Sequence, residues 1–264
     1  MSVWTAARAA DDDAPSPADP LVVGHRGGRG AGWPQENSIE AFERAWRQGA
    51  RAVELDARTC AGGDVVVWHD ATLPGAPPGG RLVADASVGE LRALGVASLA
   101  DALSWARSAG VAVNVEMKHD VPGRVALARR SVKAALDARA DVLLSSFDPS
   151  LLAMAAAVAP ALPRALLVHG GQPLWADVAQ IVARPPLTQW LHLQRTQVGP
   201  GGLAPYLRRR LLVGVWTVNE PAEALALARL GAASIITDEP GAVLAALRAQ
   251  SQLTGSTRTP AGGC

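Results

Sequence analysis

The sequence predicts an α/β protein, a (β/α)8 TIM barrel with a small insertion after the hairpin that its second strand forms. Short apolar runs of strand length alternate with helical segments along most of the chain. Counting these runs gives eight strands once one antiparallel arm is left aside. The length of 264 residues is typical of a single barrel domain.

The chain begins its ordered part with a strand at residues 21–24, followed by a glycine-rich loop. Glycine allows backbone N–H groups to approach a phosphate closely, although this loop lacks the lysine ending of a P-loop. Either Asn37 or Ser38 is expected to cap the next helix. The apolar face of that helix consists of Ile39, Phe42, Ala45 and Trp46.

The second strand, residues 51–60, is predicted to fold back on itself. Only residues 61–64 separate it from the apolar run 65–68. A parallel crossover needs a longer connection, so this pair must be an antiparallel hairpin. The fold-back should place His69 roughly opposite Glu54.

An insertion is predicted at residues 71–97, because this stretch is rich in glycine and proline and contains only a short helical pattern at 87–94. It is expected to form a lid-like loop. Ser98 then caps a helix that runs to Ala109.

The third barrel strand, residues 111–118, brings polar side chains to the interior. Side chains alternate along a strand, so Asn114, Glu116 and Lys118 share one side, which is the inside of a barrel. The remaining chain repeats strand and helix, with strands predicted at 142–147, 164–168, 190–194, 212–218 and 234–237, and helices at 149–158, 173–182, 202–209, 221–230 and 242–249. The barrel domain is expected to span 21–250, with disordered segments at 1–20 and 251–264.

Composition excludes several classes of protein. Hydrophobic residues make up 49% and charged residues 19% of the chain, as in globular proteins. The net charge of +1 gives no reason to expect nucleic acid or an anionic membrane as partner. No apolar run reaches the roughly 18 residues of a membrane span. The two cysteines fit no zinc spacing and no signal peptide is recognisable, so a reducing, cytoplasmic location is expected.

Polar motifs gather where the predicted strands begin or end. Charged groups near a core are costly unless they are paired or bind a metal, so this arrangement indicates a functional site. The motifs are His25-Arg26-Gly27, Glu36-Asn37, Glu54-x-Asp56 and His69-Asp70.

Together with later motifs, this set resembles the glycerophosphodiester phosphodiesterase family. The later motifs are Glu116-x-Lys118, Ser145-Ser146-Phe147, Trp216-Thr217-Val218-Asn219 and Ile235-Ile236-Thr237-Asp238-x-Pro240. The resemblance implies a barrel that hydrolyses small-molecule glycerophosphodiesters to an alcohol and sn-glycerol 3-phosphate. It also implies one divalent metal ion as cofactor. The chain departs from the family pattern at Gln35 and Ser38 and in a short segment after His69-Asp70, which concerns the leaving-group pocket more than the chemistry.

The resemblance assigns roles to individual residues. Glu54, Asp56 and Glu116 are the implied metal ligands, and oxygen ligands suit Mg²⁺, Ca²⁺ or Mn²⁺. The alternative for these acids is an ion-pair cluster with nearby cations. His25 and His69 are the implied acid–base pair, because imidazole titrates near neutral pH. Which of the two is the base is left open.

The remaining implied site residues contact substrate. Arg26 and Lys118 would hold phosphoryl oxygens, or pair with the acids. Glu36 would orient the first histidine or a glycerol hydroxyl, or only complement a helix dipole. Phe147 and Trp216 would line the alcohol side of the pocket, or serve packing alone.

Other polar residues are expected to be structural. They are Asn219 and Asp238, which should fix loops, the histidines His169 and His192, and Ser146, which lies in no nucleophile elbow. Two further functions stay open. One is a related barrel phosphodiesterase that acts on lysophospholipids or phosphoinositides, and the other is a barrel that binds glycerophosphodiesters without turnover.

Overall fold

The computed structural model of the chain describes residues 2–6, 19–77, 79–171 and 186–255. The helix predicted at 173–182 lies outside these residues, as do residues 7–18 and 256–264 of the predicted disordered segments. Within the described ranges, no helix combines the length and apolar character needed to cross a membrane.

The described strands form one sheet that closes into a barrel. Eight of them pair side by side in parallel, in the order β1-β9-β8-β7-β6-β5-β4-β2, and β1 also pairs with β2 to close the ring. The predicted (β/α)8 barrel is therefore confirmed. The strands are β1 Leu21–Gly24, β2 Ala52–Thr59, β3 Val65–Val67, β4 Ala112–Met117, β5 Val142–Ser146, β6 Arg164–Val168, β7 Trp190–Gln194, β8 Leu212–Trp216 and β9 Ser234–Thr237.

Helices connect these strands and cover the outside of the barrel. Serine caps begin three of them, at Ser38, Ser87 and Ser98, where the side-chain oxygen accepts a backbone N–H of the first turn. The helices are α1 Val3–Ala6, α2 Ile39–Arg47, α3 Val88–Ala93, α4 Leu99–Ala109, α5 Arg124–Ala138, α6 Pro149–Val158, α7 Ala204–Leu207, α8 Pro221–Arg229 and α9 Pro240–Gly255.

The predicted hairpin is confirmed by the pairing of β2 with β3. These strands are antiparallel, with Ala57 opposite Val67, and β2 is long enough to pair with both β4 and β3. The insertion packs on this arm with a small core of its own that includes Val66, Val83 and Leu91. It is therefore an ordered unit attached to the arm.

Alternation along the strands divides the core into two parts. In β2, Val53 and Leu55 point outward and join the apolar layer beneath the helices. Ala52, Glu54 and Asp56 take the alternate positions, and Ala52 packs with the other small side chains of the barrel interior. The polar positions of β2 therefore face the inside of the barrel.

The start of the chain closes the bottom of the barrel, which corrects the expectation of disorder there. Trp4 in α1 is only 1% exposed and packs edge-on against Trp190, with ring centroids 5.7 Å apart. Ser2 Oγ and Val3 N donate hydrogen bonds to the carboxylate of Asp141. A single tryptophan among small polar residues has no helical periodicity, so its docking was not predictable from pattern.

Three further details differ from the prediction. Trp46 was expected on the buried face of α2 but is 45% exposed, because Phe42 and Ala45 already fill that face. The final helix, α9, continues to Gly255, so residues 251–255 belong to a helix rather than to a disordered tail. The 15-residue helix α5 was not individually predicted.

We expect Trp4→Ala to destabilise the protein by about 3–5 kcal/mol, because it leaves a cavity at the barrel bottom. Trp46→Ala is the matched control, and removing this half-exposed ring should cost only about 0.5 kcal/mol. Urea unfolding followed by circular dichroism measures both. Equal effects of the two substitutions would show that Trp4 does not close the barrel.

Candidate active site

The carboxyl ends of the parallel strands surround a cavity of about 250 Å³. This end of a barrel is where loops from all the strands converge. Eight of the ten predicted site residues line the cavity, and only Asp56 and Glu36 are missing from its wall. A second depression, of about 930 Å³, lies outside the barrel between α4 and α5. Its charged side chains form exposed ion pairs, such as Lys133 with Asp137.

Three carboxylates meet at the cavity. Glu54, Asp56 and Glu116 each offer an oxygen, and these oxygens lie within 4.8 Å of one another. Asp56 of β2 is level with Glu116 of β4 in the parallel register, and Glu54 is one inward position below Asp56. All three side chains are buried. This cluster could hold a metal ion, the role that the resemblance of the sequence motifs implied for these three acids.

The three acids differ in how their surroundings affect ionisation. Burial raises the pKa of Glu54 well above its ordinary value, and the charges of Asp56 and Glu116 add to this effect. Burial alone would also raise the pKa of Asp56. The positive charges of Lys118 and Arg26 outweigh it and hold the pKa of Asp56 well below its usual range.

Two cations hold the acids together. Lys118 Nζ lies 2.8 Å from both Asp56 Oδ1 and Glu116 Oε1. Arg26 Nε lies 3.1 Å from Asp56 Oδ2, and its backbone N–H donates to Glu54 Oε2. Burial acts to lower the pKa of Lys118, but its two acidic partners keep that pKa above the ordinary value. The ion-pair cluster considered as an alternative therefore coexists with the possible metal site.

Glu36 contacts arginines and not His25. Its carboxylate accepts from Arg26 Nη1 at 2.7 Å and from Arg29 Nη1 at 3.3 Å. The contacts therefore do not support the prediction that Glu36 orients the first histidine, whereas its contact with a glycerol hydroxyl stays a prediction. Arg26 and Asn37 both have positive φ, 52° and 61°, and this loop conformation turns Glu36 toward the guanidinium groups.

The same loop supports the acids from below. Asn37 Nδ2 donates to Asp56 Oδ2 at 2.8 Å, and Asn37 Oδ1 accepts the Asp56 backbone N–H. Gly27 brings the loop against α2, where a Cβ would come within 2.8 Å of Ala41 Cβ. Only glycine fits this close approach at a φ of +89°.

His25 is oriented by an acid that lies near the end of the barrel domain in the sequence. His25 Nδ1 lies 2.8 Å from Asp238 Oδ1. An ionised carboxylate only accepts hydrogen bonds, so Nδ1 carries the hydrogen. The second nitrogen, Nε2, points toward the acids and lies 4.0 Å from Glu54 Oε2. This geometry leaves Nε2 as the nitrogen that can exchange a proton at the cavity.

Asp238 is a site residue that the sequence interpretation assigned only to loop structure. Burial would raise its pKa, but hydrogen bonds from His25, Arg29 and Asn219 hold that pKa well below the ordinary value. Arg29 donates to Asp238 through Nε and Nη2 at 2.9 and 3.1 Å, and Asn219 Nδ2 donates to it at 2.9 Å. The sequence did hold one signal for this role. Asp238 directly follows the last strand, which lies beside β1 in a closed barrel.

His69 reaches the cavity from the loop after β3, as the hairpin predicted. Its Nδ1 lies 2.8 Å from Asp70 Oδ1. The side chains of His69 and Asp70 are 38% and 65% exposed, whereas those of His25 and Asp238 are 12% and 11% exposed. Arg58 Nε donates to the His69 carbonyl at 2.7 Å, which fixes this loop to the second strand.

Aromatic side chains also line the mouth of the cavity. Phe147 and Trp216 both line the cavity, with ring centroids 5.7 Å apart. The rings of His119 and His169 pack edge-on against Phe147. Ser146 donates to the Met117 carbonyl, so its hydroxyl is used in structure, as expected.

His192 lies within the barrel, away from the charged cluster. It is fully buried, and burial lowers its pKa to about 3, so the ring is neutral at physiological pH. Neither ring nitrogen has a hydrogen-bond partner within the described part of the chain. It does not line the cavity, in agreement with the structural role expected for it.

Comparison with known proteins identifies the family. Residues 25–242 match the profile described as the glycerophosphoryl diester phosphodiesterase family. The chain belongs to this family. The resemblance drawn from the sequence motifs is thereby confirmed over most of the barrel.

Individual members of the family are distant in sequence but similar in length and fold. A glycerophosphodiester phosphodiesterase of Caldanaerobacter subterraneus subsp. tengcongensis is 26% identical over 245 residues, which cover 86% of this chain and 98% of that protein. The structure of an Oleispira antarctica phosphodiesterase in complex with the product sn-glycerol-3-phosphate has a TM-score of 0.75, with 22% identity over 87% of this chain and 97% of that one. A glycerophosphodiester phosphodiesterase from Parabacteroides distasonis has a TM-score of 0.74, with 22% identity over 88% and 98%.

We expect Glu54→Gln to raise the melting temperature of the metal-free protein at pH 8. A raised carboxyl pKa in the folded state stabilises the protein fully below the unfolded pKa of about 4.3, and this stabilisation is lost as pH rises through the folded value. The gain from Glu54→Gln should therefore shrink toward pH 4. Differential scanning fluorimetry in EDTA measures it.

Excess Mg²⁺ or Ca²⁺ should give the parent a higher melting temperature than Glu54→Gln, the reverse of the order in EDTA. A cation at 100 times its Kd stabilises the folded parent by about 2.7 kcal/mol, and the variant should lose most of that gain. Glu43→Gln, on the surface of α2, is the control and should change neither result. A lower melting temperature for Glu54→Gln in EDTA at pH 8 would contradict the repulsion described.

Proposed function

We propose that this protein hydrolyses glycerophosphodiesters to an alcohol and sn-glycerol 3-phosphate, using one divalent metal ion and a pair of histidines. The observation that carries the proposal is the meeting of three carboxylate oxygens within 4.8 Å at a cavity that His25 and His69 also line. Family membership and the product named in the Oleispira antarctica complex support the substrate class.

The three acids fit a hard divalent cation. Their ligand atoms are all carboxylate oxygens, the type that Mg²⁺, Ca²⁺ and Mn²⁺ prefer. Glu54, Asp56 and Glu116 would hold the ion, and their mutual repulsion when buried favours its binding. When bound, such an ion polarises phosphoryl oxygens and offsets the charge that builds up on them.

Charge balance supports a phosphodiester as the ligand. When all three acids are ionised, as they would be in holding a metal ion, they and the two cations that pair directly with them, Arg26 and Lys118, carry one net negative charge. A divalent ion changes that balance to one positive charge, which complements a phosphodiester monoanion. Arg26 and Lys118 line the cavity and can then turn from the acids to the phosphoryl oxygens.

The two histidines supply proton transfer. One removes a proton from water, or from the neighbouring glycerol hydroxyl, and the other gives a proton to the departing alcohol. In each, an aspartate on Nδ1 leaves Nε2 available for the transfer. The hydroxyl route forms a cyclic phosphate first, which water then opens.

Phe147 and Trp216 would contact the alcohol group of the diester. Both line the cavity and are half-buried. The insertion packs on the hairpin arm that leads to His69. A lysophospholipid or phosphoinositide phosphodiesterase would prefer a lipid or inositol substrate in a diester panel, and a binding module would turn over none.

We expect alanine in place of either His25 or His69 to lower kcat for glycerophosphocholine by at least about 10²-fold, since general acid–base catalysis contributes that much. A diester whose alcohol is p-nitrophenol needs no proton on departure. The acid variant should therefore recover most of its activity on this substrate, whereas the base variant should not. Steady-state kinetics with Mg²⁺, Ca²⁺ or Mn²⁺ provide the measurement.

His119→Ala is the control, because it removes an exposed imidazole from the same rim without touching the pair. It should keep kcat within about threefold of the parent, well short of the acid–base effect. Activity of folded His25→Ala or His69→Ala within that range would reject the proton-transfer roles. Full activity in EDTA would reject the metal.

A further inference from the structure

One polar side chain at the floor of the cavity has no assigned role. Asn114 lies on β4, one inward position below Glu116 and level with Glu54 on the neighbouring strand. It lines the cavity beside the apolar side chains Leu167 and Ile236. Strand alternation directs Asn114 to the inside of the barrel, so its amide faces the floor of the cavity.

The amide of Asn114 lacks the hydrogen bonds that its burial requires. The residue is 1% exposed, and neither Oδ1 nor Nδ2 has a hydrogen-bond partner within the ranges that the structure describes. The charged groups around it do have partners, for example His25 on Asp238 and Lys118 on Asp56. Buried amides are normally satisfied, because an unpaired one costs free energy on desolvation.

We propose that Asn114 binds the glycerol part of the substrate and makes the site selective for it, an inference that rests on the proposed function. The amide presents one acceptor, Oδ1, and one donor, Nδ2, at the same floor. A ligand that satisfies both must itself donate and accept. A hydroxyl does both, and the two adjacent hydroxyls of a glycerol group can pair with both amide atoms.

The surroundings of Asn114 favour a glycerol group over a metal ion or a phosphoryl oxygen as its ligand. A metal ion would use Oδ1 and leave Nδ2 unpaired, and a phosphoryl oxygen would use Nδ2 and leave Oδ1 unpaired. The arginine and lysine at the cavity are better phosphate ligands. Leu167 and Ile236, which line the same cavity, supply apolar contact for the carbon chain of glycerol.

The test compares two phosphate monoesters that differ only in the hydroxyls. Isothermal titration calorimetry in excess Mg²⁺ gives Kd for glycerol 3-phosphate and for n-propyl phosphate. The parent should prefer glycerol 3-phosphate. Asn114→Leu keeps the size of the side chain but removes its polar atoms, so it should raise the Kd for glycerol 3-phosphate by about tenfold to a hundredfold. It should change the Kd for n-propyl phosphate by no more than about twofold.

Ser131→Ala is the matched control. It also removes a buried polar group without a described partner, in this case a hydroxyl of α5 outside the barrel interior. It should change neither Kd. Asn114→Ala, which also removes both polar atoms, provides the same comparison if the leucine variant does not fold. Equal weakening of both ligands, or an unchanged preference in Asn114→Leu, would overturn the inference. Such results would leave the proposed hydrolysis intact, because that is judged by turnover of glycerophosphocholine in the parent.

Discussion

The burial of three like charges at one point is the constraint on which the rest of this site depends. Glu54, Asp56 and Glu116 are held within 4.8 Å of each other in a place with little water, where carboxylates repel strongly. Lys118 and Arg26 offset only part of that repulsion. The barrel around them supplies the stability that keeps this arrangement, and a bound divalent cation would relieve what remains.

Barrel closure provides the second condition for the site. The first strand pairs with the last, so His25 and Asp238 become neighbours although 213 positions separate them. Asp238 is in turn fixed by Arg29 and Asn219, which come from the loops after β1 and β8. The hairpin arm adds His69 from above. Each histidine thus has an aspartate on one nitrogen, although one pair is buried and the other exposed.

Local rules were enough to predict part of this arrangement. The rest depends on barrel closure, on the conformation of one loop and on the docking of one side chain. The acids of β2 and β4 were predictable because alternation fixes the face of a strand, and the hairpin because its link is only four residues long. The partner of His25 was not predictable without knowing which strand lies beside β1. The partners of Glu36 depend on left-handed backbone at Arg26, and Trp4 docks as a single side chain. Neither of these leaves a periodic pattern.

Anomalous diffraction from crystals grown with Mn²⁺ tests the central claim most directly. The account predicts one strong anomalous peak at the cavity, with an oxygen of Glu54, Asp56 and Glu116 each roughly 2.0–2.6 Å from it, the range typical of hard cations. Lys118 Nζ should then lie farther from these acids than the 2.8 Å seen here. A cavity without a peak at saturating Mn²⁺, with Lys118 still bridging Asp56 and Glu116, would contradict the account.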